Sequence, residues 1–453
     1  MGRVDRNTAT KQPLPSWTRT ARIVEWVILA VAVAAFVVAL VVYFRHNEGE
    51  GPLQGWAWVA ATGALALLAL ILVTVRPLSL VRWRMVLSSV LASLVLAGGT
   101  VFTWTLISKN DAEVLSAGTL VNSPREAAEF LRHEDGDNGR QQIPVGVFVQ
   151  QLSFDGPSAV KVSGYVWQRL PKGFPESMQG VVLPDAEDSY ASKEVYRDVH
   201  RDGTTTVGWY FNARLAQGFD YERYPFDRQS VQLRLWSSDR ADDSMTLVPD
   251  FRSYPPWDVQ KVYGVDPGVV FPGWQPTFTS WSYQHVDYHT TLGGNTRPYA
   301  HSPPVPPDLY FNLGVAREWQ APLLSSLTRW LIVAFIIFLA LFVYSKDKGE
   351  LRPNLGFSTW AVITFSVSML LVIVVDQTSV RQYTGTAMAY VEWFALALYV
   401  VIMMVALNAV LLTSRVKAPG LEWQDNRIAK LAYWPLLFAM VFAATLYVFS
   451  PRW

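Results

Sequence analysis

The sequence contains no cysteine. Disulfide bridges, thiolate metal sites and a cysteine nucleophile are therefore excluded, and any part exposed outside the cytoplasm must be held by packing and association. An excess of charge of one sign is also missing: 38 Lys and Arg stand against 37 Asp and Glu, a formal net charge of +1. That balance argues against nucleic acid or a strongly acidic partner. What the chain has in quantity is apolar side chain, 51 % of 453 residues, with 13 % aromatic.

The apolar content is concentrated in runs. Residues 23–44, 56–75, 85–107, 323–344, 355–375, 388–412 and 432–449 are each about 20 residues long, the length at which a helix crosses hydrocarbon. Several runs carry Trp or Tyr at their ends, as interfacial belts do. The first run is too long for a signal-peptide core and no small-residue cleavage site follows it, so it reads as an anchor. The expectation is an α+β membrane protein with about seven transmembrane helices, three before a long polar region and a four-helix bundle after it.

Basic residues set the orientation. Arg3, Arg6, Lys11, Arg19 and Arg22 precede the first run; Arg76, Arg82 and Arg84 join the second and third. Lys346, Lys348 and Arg352 join the fourth and fifth, and Arg415, Lys417, Arg427 and Lys430 the sixth and seventh. The opposite loops hold only Arg45, beside Glu48 and Glu50, and Arg381. Positive-inside counting predicts a multi-pass protein of the plasma or inner membrane with a cytoplasmic N-terminus. Residues 108–322 and the C-terminus then lie outside.

Within the outer region, residues 108–142 are polar and read as a linker, with a short helix around 125–132. From there the period changes to 2. Val145, Val147 and Val149 alternate with Gly146, Phe148 and Gln150; Asp155-Gly156-Pro157 forms a turn; Val160 and Val162 follow. This is a hairpin pattern. Similar runs at 205–214, 229–237, 276–288 and 309–315 predict an antiparallel β-sandwich over 143–320. The remaining divisions are a three-helix module over 1–107 and a transmembrane domain over 321–453. No enzyme site is visible: there is no phosphate loop and no nucleophile elbow. His285 and His289, with Asp287, fall on one face if that stretch is a strand, a weak metal pattern for which surface histidines are the commoner explanation. No cofactor is expected.

The segment Phe219-Asp220-Tyr221-Glu222-Arg223-Tyr224-Pro225-Phe226-Asp227-Arg228-Gln229 resembles the signature loop of pentameric ligand-gated ion channels, the Cys-loop receptor superfamily. Its surroundings are similar too. Arg201-Asp202-Gly203 and 207–214 resemble the strands ahead of that loop, 145–167 the first hairpin with its Tyr165-x-Trp167, and 308–317 the last outer strand with Arg317. Leu351-Arg352-Pro353-Asn354-Leu355-Gly356 resembles the start of the pore-lining helix. The resemblance covers residues 143–449. The flanking cysteines of animal members are absent, as in bacterial relatives; residues 376–384 lack the usual proline; and the three leading helices are additional to the family plan.

The resemblance implies a homopentamer in membrane lipid, opened by a small ligand or by protons. It implies that Asn354, Ser358, Ala361, Phe365 and Ser368 line the pore. Helical geometry at 100° per residue independently groups Asn354, Ser358, Ala361, Thr364 and Ser368 on one face, although packing against neighbouring helices explains the same small residues. Glu350 and Asp376 are candidates for charged rings favouring cations, opposed at the inner end by Lys346, Lys348 and Arg352. By resemblance, Asp155, Tyr224, Pro225, Phe226, Asp227 and Arg317 couple the outer domain to the helices, meeting 376–383. A ligand cage between subunits is implied at the hairpin 280–313, where Trp281, Tyr283, Tyr288 and Tyr299 are available to hold an organic cation; core packing is the other reading of each ring. Two further readings stay open: a non-conducting sensor or scaffold on the same fold, and a membrane enzyme acting outside the cell.

Overall fold

The computed structural model describes residues 16–46, 56–77, 81–109, 118–134, 140–187, 191–238, 245–258, 260–290, 306–343, 359–385, 388–413 and 426–450. The chain divides into two compact units. One comprises Met1–Lys109, Thr328–Val374 and Glu392–Trp453, the other Asn110–Leu327 and Val375–Val391.

Among the described residues, 7 helices are long and apolar enough to cross a membrane. They are α1 (Ser16–His46), α2 (Trp56–Val75), α3 (Arg82–Lys109), α5 (Gln320–Val343), α6 (Thr359–Thr384), α7 (Tyr390–Thr413) and α8 (Arg427–Phe449). Each of the seven expected runs thus coincides with a helix over most of its described length. Their outward surfaces remain apolar, with Val31, Leu94, Leu371 and Met403 each more than half exposed, the pattern of helices whose solvent is lipid.

In the first unit, α1 packs on α2, α2 on α3, and α3 on α8. Small residues set these approaches. A Cβ on Gly63 would meet the Phe36 ring at 3.0 Å, and one on Gly99 the Phe442 ring at 3.0 Å. Pro435 lies inside α8 and has no N–H to offer the carbonyl of Leu431 one turn earlier. The Ser89 hydroxyl of α3 donates to that carbonyl instead, at 2.6 Å. The helix break and its repair therefore sit on different helices and tie them together. Elsewhere in this unit Tyr433 Oη donates to Ala334 O at 2.7 Å, and Trp330 stacks on Phe394 at 5.4 Å.

The second unit is built on two five-stranded sheets. One runs β1 (Thr119–Val121), β9 (Trp274–Gln284), β10 (Asp308–Arg317), β7 (Arg228–Ser237), β4 (Val181–Val182). The other runs β5 (Ala191–Val199), β6 (Thr205–Ala216), β3 (Ala159–Leu170), β2 (Gln141–Phe154), β8 (Met245–Pro249). Alternation fills the core between them: Val231, Leu233 and Leu235 of β7 face Ile143, Val145 and Val147 of β2, all buried. A bulge between Val149 and Gln151 resets the period, so that Leu152 is again buried.

Four expectations are corrected. The sandwich is not wholly antiparallel, because β2 and β8 pair in parallel. Part of the expected linker belongs to the domain: β1 pairs with β9, and the helix α4 (Pro124–Glu134) buries Ala127 and Leu131 in the core. Its start is a capping box, in which Glu126 N–H donates to Ser123 Oγ at 3.2 Å and the Glu126 carboxylate accepts from Asn122 N–H at 2.9 Å. The stretch 376–384, expected as a turn, continues α6. It contains no proline or glycine before Gly385, whose φ of 66° ends the helix while its N–H donates to Arg381 O at 3.0 Å. Finally, β9 ends at Gln284, and His289 has φ 53°, so strand alternation does not bring His285 and His289 to one face.

Candidate functional site

The loop between β6 and β7 is assembled by its own short-range bonds. Asp220 Oδ1 accepts Glu222 N–H at 2.9 Å, Tyr224 N–H donates to Tyr221 O at 3.0 Å, and Phe226 N–H to Arg223 O at 2.7 Å. The Tyr224–Pro225 peptide is cis. Gln229, the first core-facing residue of β7, closes the base from both sides. Its amide donates to Asp220 O at 2.6 Å and Asp227 Oδ2 at 3.1 Å and accepts from Asp220 N–H at 3.2 Å. Gln229 thereby ties the two ends of the loop together through Asp220 and Asp227.

Asp227 is 2 % exposed. Its carboxylate accepts from Arg317 Nε at 2.6 Å and Nη2 at 3.1 Å, and its backbone carbonyl accepts from Arg317 N–H at 3.1 Å. A buried carboxylate is tolerable when every lone-pair direction meets a donor, and a planar guanidinium supplies two in one plane. Arg317 lies opposite Trp274 in the β10–β9 register, with its guanidinium 4.0 Å from that ring and 4.8 Å from Tyr224. Phe154, at the end of β2, stacks on the same Trp274 at 4.3 Å and meets Phe219 edge-on at 4.9 Å. Burial pushes the Tyr221 phenol up to about 12, with the charges of Arg317 and Asp227 acting on it in opposite senses.

The same unit contains the end of α6 and the start of α7. Phe226 stacks on Trp319 at 4.9 Å and lies 6.2 Å from the Tyr390 ring of α7. A Cβ on Gly385, directly after α6, would come within 3.1 Å of Pro157 in the β2–β3 turn. Asp155 of that turn accepts from Arg214 Nε at 2.8 Å and pairs with Lys161 at 3.1 Å. These partners, Arg214 first, hold its carboxyl below the usual carboxylate range. All six residues expected to couple the domains therefore fall in one neighbourhood, together with Trp274, Trp319 and Tyr390. The last three were not expected. Trp274 and Trp319 flank the strand pair that carries Arg317, and that position was the available signal.

The pore-facing expectations divide. Glu350, Asn354 and Ser358 lie outside the described residues, and Ala361 is in α6. Phe365 is half-buried, while Ser368 is exposed and donates to Thr364 O at 3.0 Å. The buried residues Val362, Ser366, Ile373, Asp376, Val380 and Thr384 form one stripe at spacings of 3, 4 and 7. Asp376 thus shares the packed side of α6, which corrects the expectation that it stands on an open ring. The opposite face presents Thr364, Ser368, Leu371, Val375 and Thr378.

Trp281 and Tyr283 do not form an open cage. Both are 0 % exposed in the sandwich core, where Tyr283 stacks on Phe130 of α4 at 5.1 Å and donates its hydroxyl to Leu247 O. Tyr299 lies outside the described residues. Tyr288 sits instead in a polar cluster on the outer face of β7 and β10. There Arg234 pairs with Asp185 and donates to Tyr288 Oη at 3.2 Å, Tyr288 donates to Asp308, and the Trp236 ring lies 5.5 Å from both Tyr288 and the Arg234 guanidinium. Burial opposes the charge on Arg234, but Asp185, Tyr288, Tyr310 and Asp308 outweigh it and raise its pKa. Alternation along β7 sets Arg234 and Trp236 on the face opposite the core residues Leu233 and Leu235; Asp185 comes from a distant loop with no local signal.

The sequence matches no model of a known protein family and no curated protein.

Proposed function

We propose that the chain is a subunit of a homopentameric ligand-gated ion channel, in which a ligand at the outer β-sandwich opens a pore lined by α6. The observation that carries this reading is the convergence on one packed cluster of the Pro225-Phe226-Asp227 loop, the β2–β3 turn, Arg317 and the α6–α7 connection. A stiff sandwich that moves as a body shifts Phe226 against Tyr390, and Pro157 against Gly385. The second contact acts on the end of the helix assigned to the pore. The orientation is that of the positive-inside rule, with the sandwich outside the cytoplasm. The Arg234–Asp185–Asp308 cluster with Trp236, Tyr288 and Tyr310 is the ligand face in preference to Trp281 and Tyr283.

A second reading, a non-conducting sensor or scaffold on the same fold, is favoured by one observation. The open face of α6 is largely aliphatic, with Val367, Leu371, Val372, Val374 and Val375 exposed, and apolar constrictions exclude water. Current across planar bilayers containing the purified protein separates the two, scanned over pH and small amines. Current whose ion selectivity changes in Ser368→Lys supports the channel. An intact oligomer that stays silent under every condition supports the scaffold.

A further inference from the structure

A cavity of about 370 Å³ lies between α2, α3 and α8, lined among others by Leu68, Leu72, Met85, Ser89, Ile428 and Leu431. Its size is within the range of small-molecule sites, roughly 300–1,000 Å³. The wall is almost wholly apolar, and all three helices are of the kind that crosses a membrane. Water filling such a space has few partners, so an apolar chain is the favoured occupant.

The charges that α2, α3 and α8 themselves carry at that end are all basic; the acid on the adjoining helix is Glu25, buried in α1, which packs on α2. Pro77, Met85 and Ile428 line the cavity, and each directly follows an arginine: Arg76, Arg84 and Arg427. Arg82 and Lys430 are on the same first turns of α3 and α8. None of α2, α3 and α8 contains Asp or Glu; Glu422 and Asp425, ahead of α8, lie outside the described residues. Arg84 is half-buried with its guanidinium 5.5 Å from the Trp83 ring, the placement of an interfacial pair. Basic pockets between membrane helices attract anionic headgroups.

We infer that this cavity is a binding site for one acyl chain of an anionic phospholipid whose headgroup lies among Arg76, Arg82, Arg84 and Arg427. The lipid fills the space that the Ser89–Leu431 bond leaves beside it and joins the leading helices to α8 as a third component. The inference rests on the seven helices spanning a membrane and is independent of conduction.

The full chain is reconstituted in vesicles of equal parts phosphatidylglycerol and phosphatidylcholine, extracted into detergent, and its retained phospholipid identified by mass. Wild type is expected to retain phosphatidylglycerol in preference. Each charge removed in Arg82→Gln and in Arg82→Gln with Arg84→Gln should lower that preference about fivefold. Ala92→Phe, which fills the cavity from the α3 side, should lose the retained lipid while keeping the thermal transition. Equal retention of both lipids by wild type overturns the inference, as does a preference that survives both arginine substitutions. Should Ala92→Phe fail to fold, the arginine variants decide alone, because those side chains lie at the ends of helices.

Discussion

Arg317 and Asp227 form a bidentate pair across 90 residues of sequence, Nε to Oδ1 at 2.6 Å and Nη2 to Oδ2 at 3.1 Å, with the Asp227 side chain 1 % exposed and Arg317 15 %. The pair joins the β6–β7 loop to the last strand before α5. Breaking it from one side leaves a charge with no counterpart in a site shut off from water.

Arg317→Met should therefore destabilise the protein by about 3–5 kcal/mol, the cost of stranding a buried carboxylate. Asp227→Asn added to it should recover much of the loss, since an amide carries no charge to strand. Thermal unfolding of the single and double variants measures both. A double variant no more stable than Arg317→Met would mean that the pair is not what holds the loop.

Gly385 ends α6 at φ 66° with Pro157 in contact range. Gly385→Ala places a Cβ in a left-handed conformation, about 1–2 kcal/mol unfavourable, and presses it on the β2–β3 turn. On the proposed channel reading, the expected outcome is a shifted activation curve with unchanged single-channel conductance. A change in conductance alone would place Gly385 in the permeation path rather than in the coupling.

Removing the Ser89 hydroxyl leaves the Leu431 carbonyl without the donor that replaces Pro435 N–H. Ser89→Ala should cost about 0.5–2 kcal/mol, the span found for hydrogen bonds between membrane helices. Pro435→Ala in that background restores a backbone donor and should return most of the stability. Unfolding in mixed detergent reads the series, and equal stability of Ser89→Ala and wild type would assign the bond no role.

Asp155 has a lowered pKa in the fold through Arg214 and Lys161. A depressed carboxyl contributes stability above its unfolded value, about 3.9, and loses it as pH falls through the lower folded value. Asp155→Asn should thus lower stability modestly at neutral pH and converge with wild type as pH falls below about 4, so that its acid unfolding is less steep. An acid profile superimposable on wild type would show that the three charges are solvated independently.

The seven long apolar helices were legible because one criterion, a run of about 20 apolar residues, is local and unambiguous. The strands of the sandwich were legible where alternation is clean, as in β7 and β10. It failed at β5, whose residues from Ser192 to Val199 are all exposed, and at β8, paired in parallel across about a hundred residues. Ser123 with Glu126 already carried the capping signal for α4, but its packing on Tyr283 depends on chain 150 residues away. The motif around Asp227 named its own members, whereas the rings that enclose Arg317 come from the register of β9 on β10.

By itself the sequence determined element type: helices from apolar length and strands from period 2. Only the tertiary structure decided which faces are buried. It put Trp281 and Tyr283 inside, drew Tyr288 to Arg234, turned Asp376 to the packed side of α6, and set Ser89 beside a carbonyl that Pro435 leaves free. The physical reason is the same in each case. Period and length are properties of neighbouring residues, while burial and hydrogen-bond satisfaction depend on partners that chain distance does not reveal.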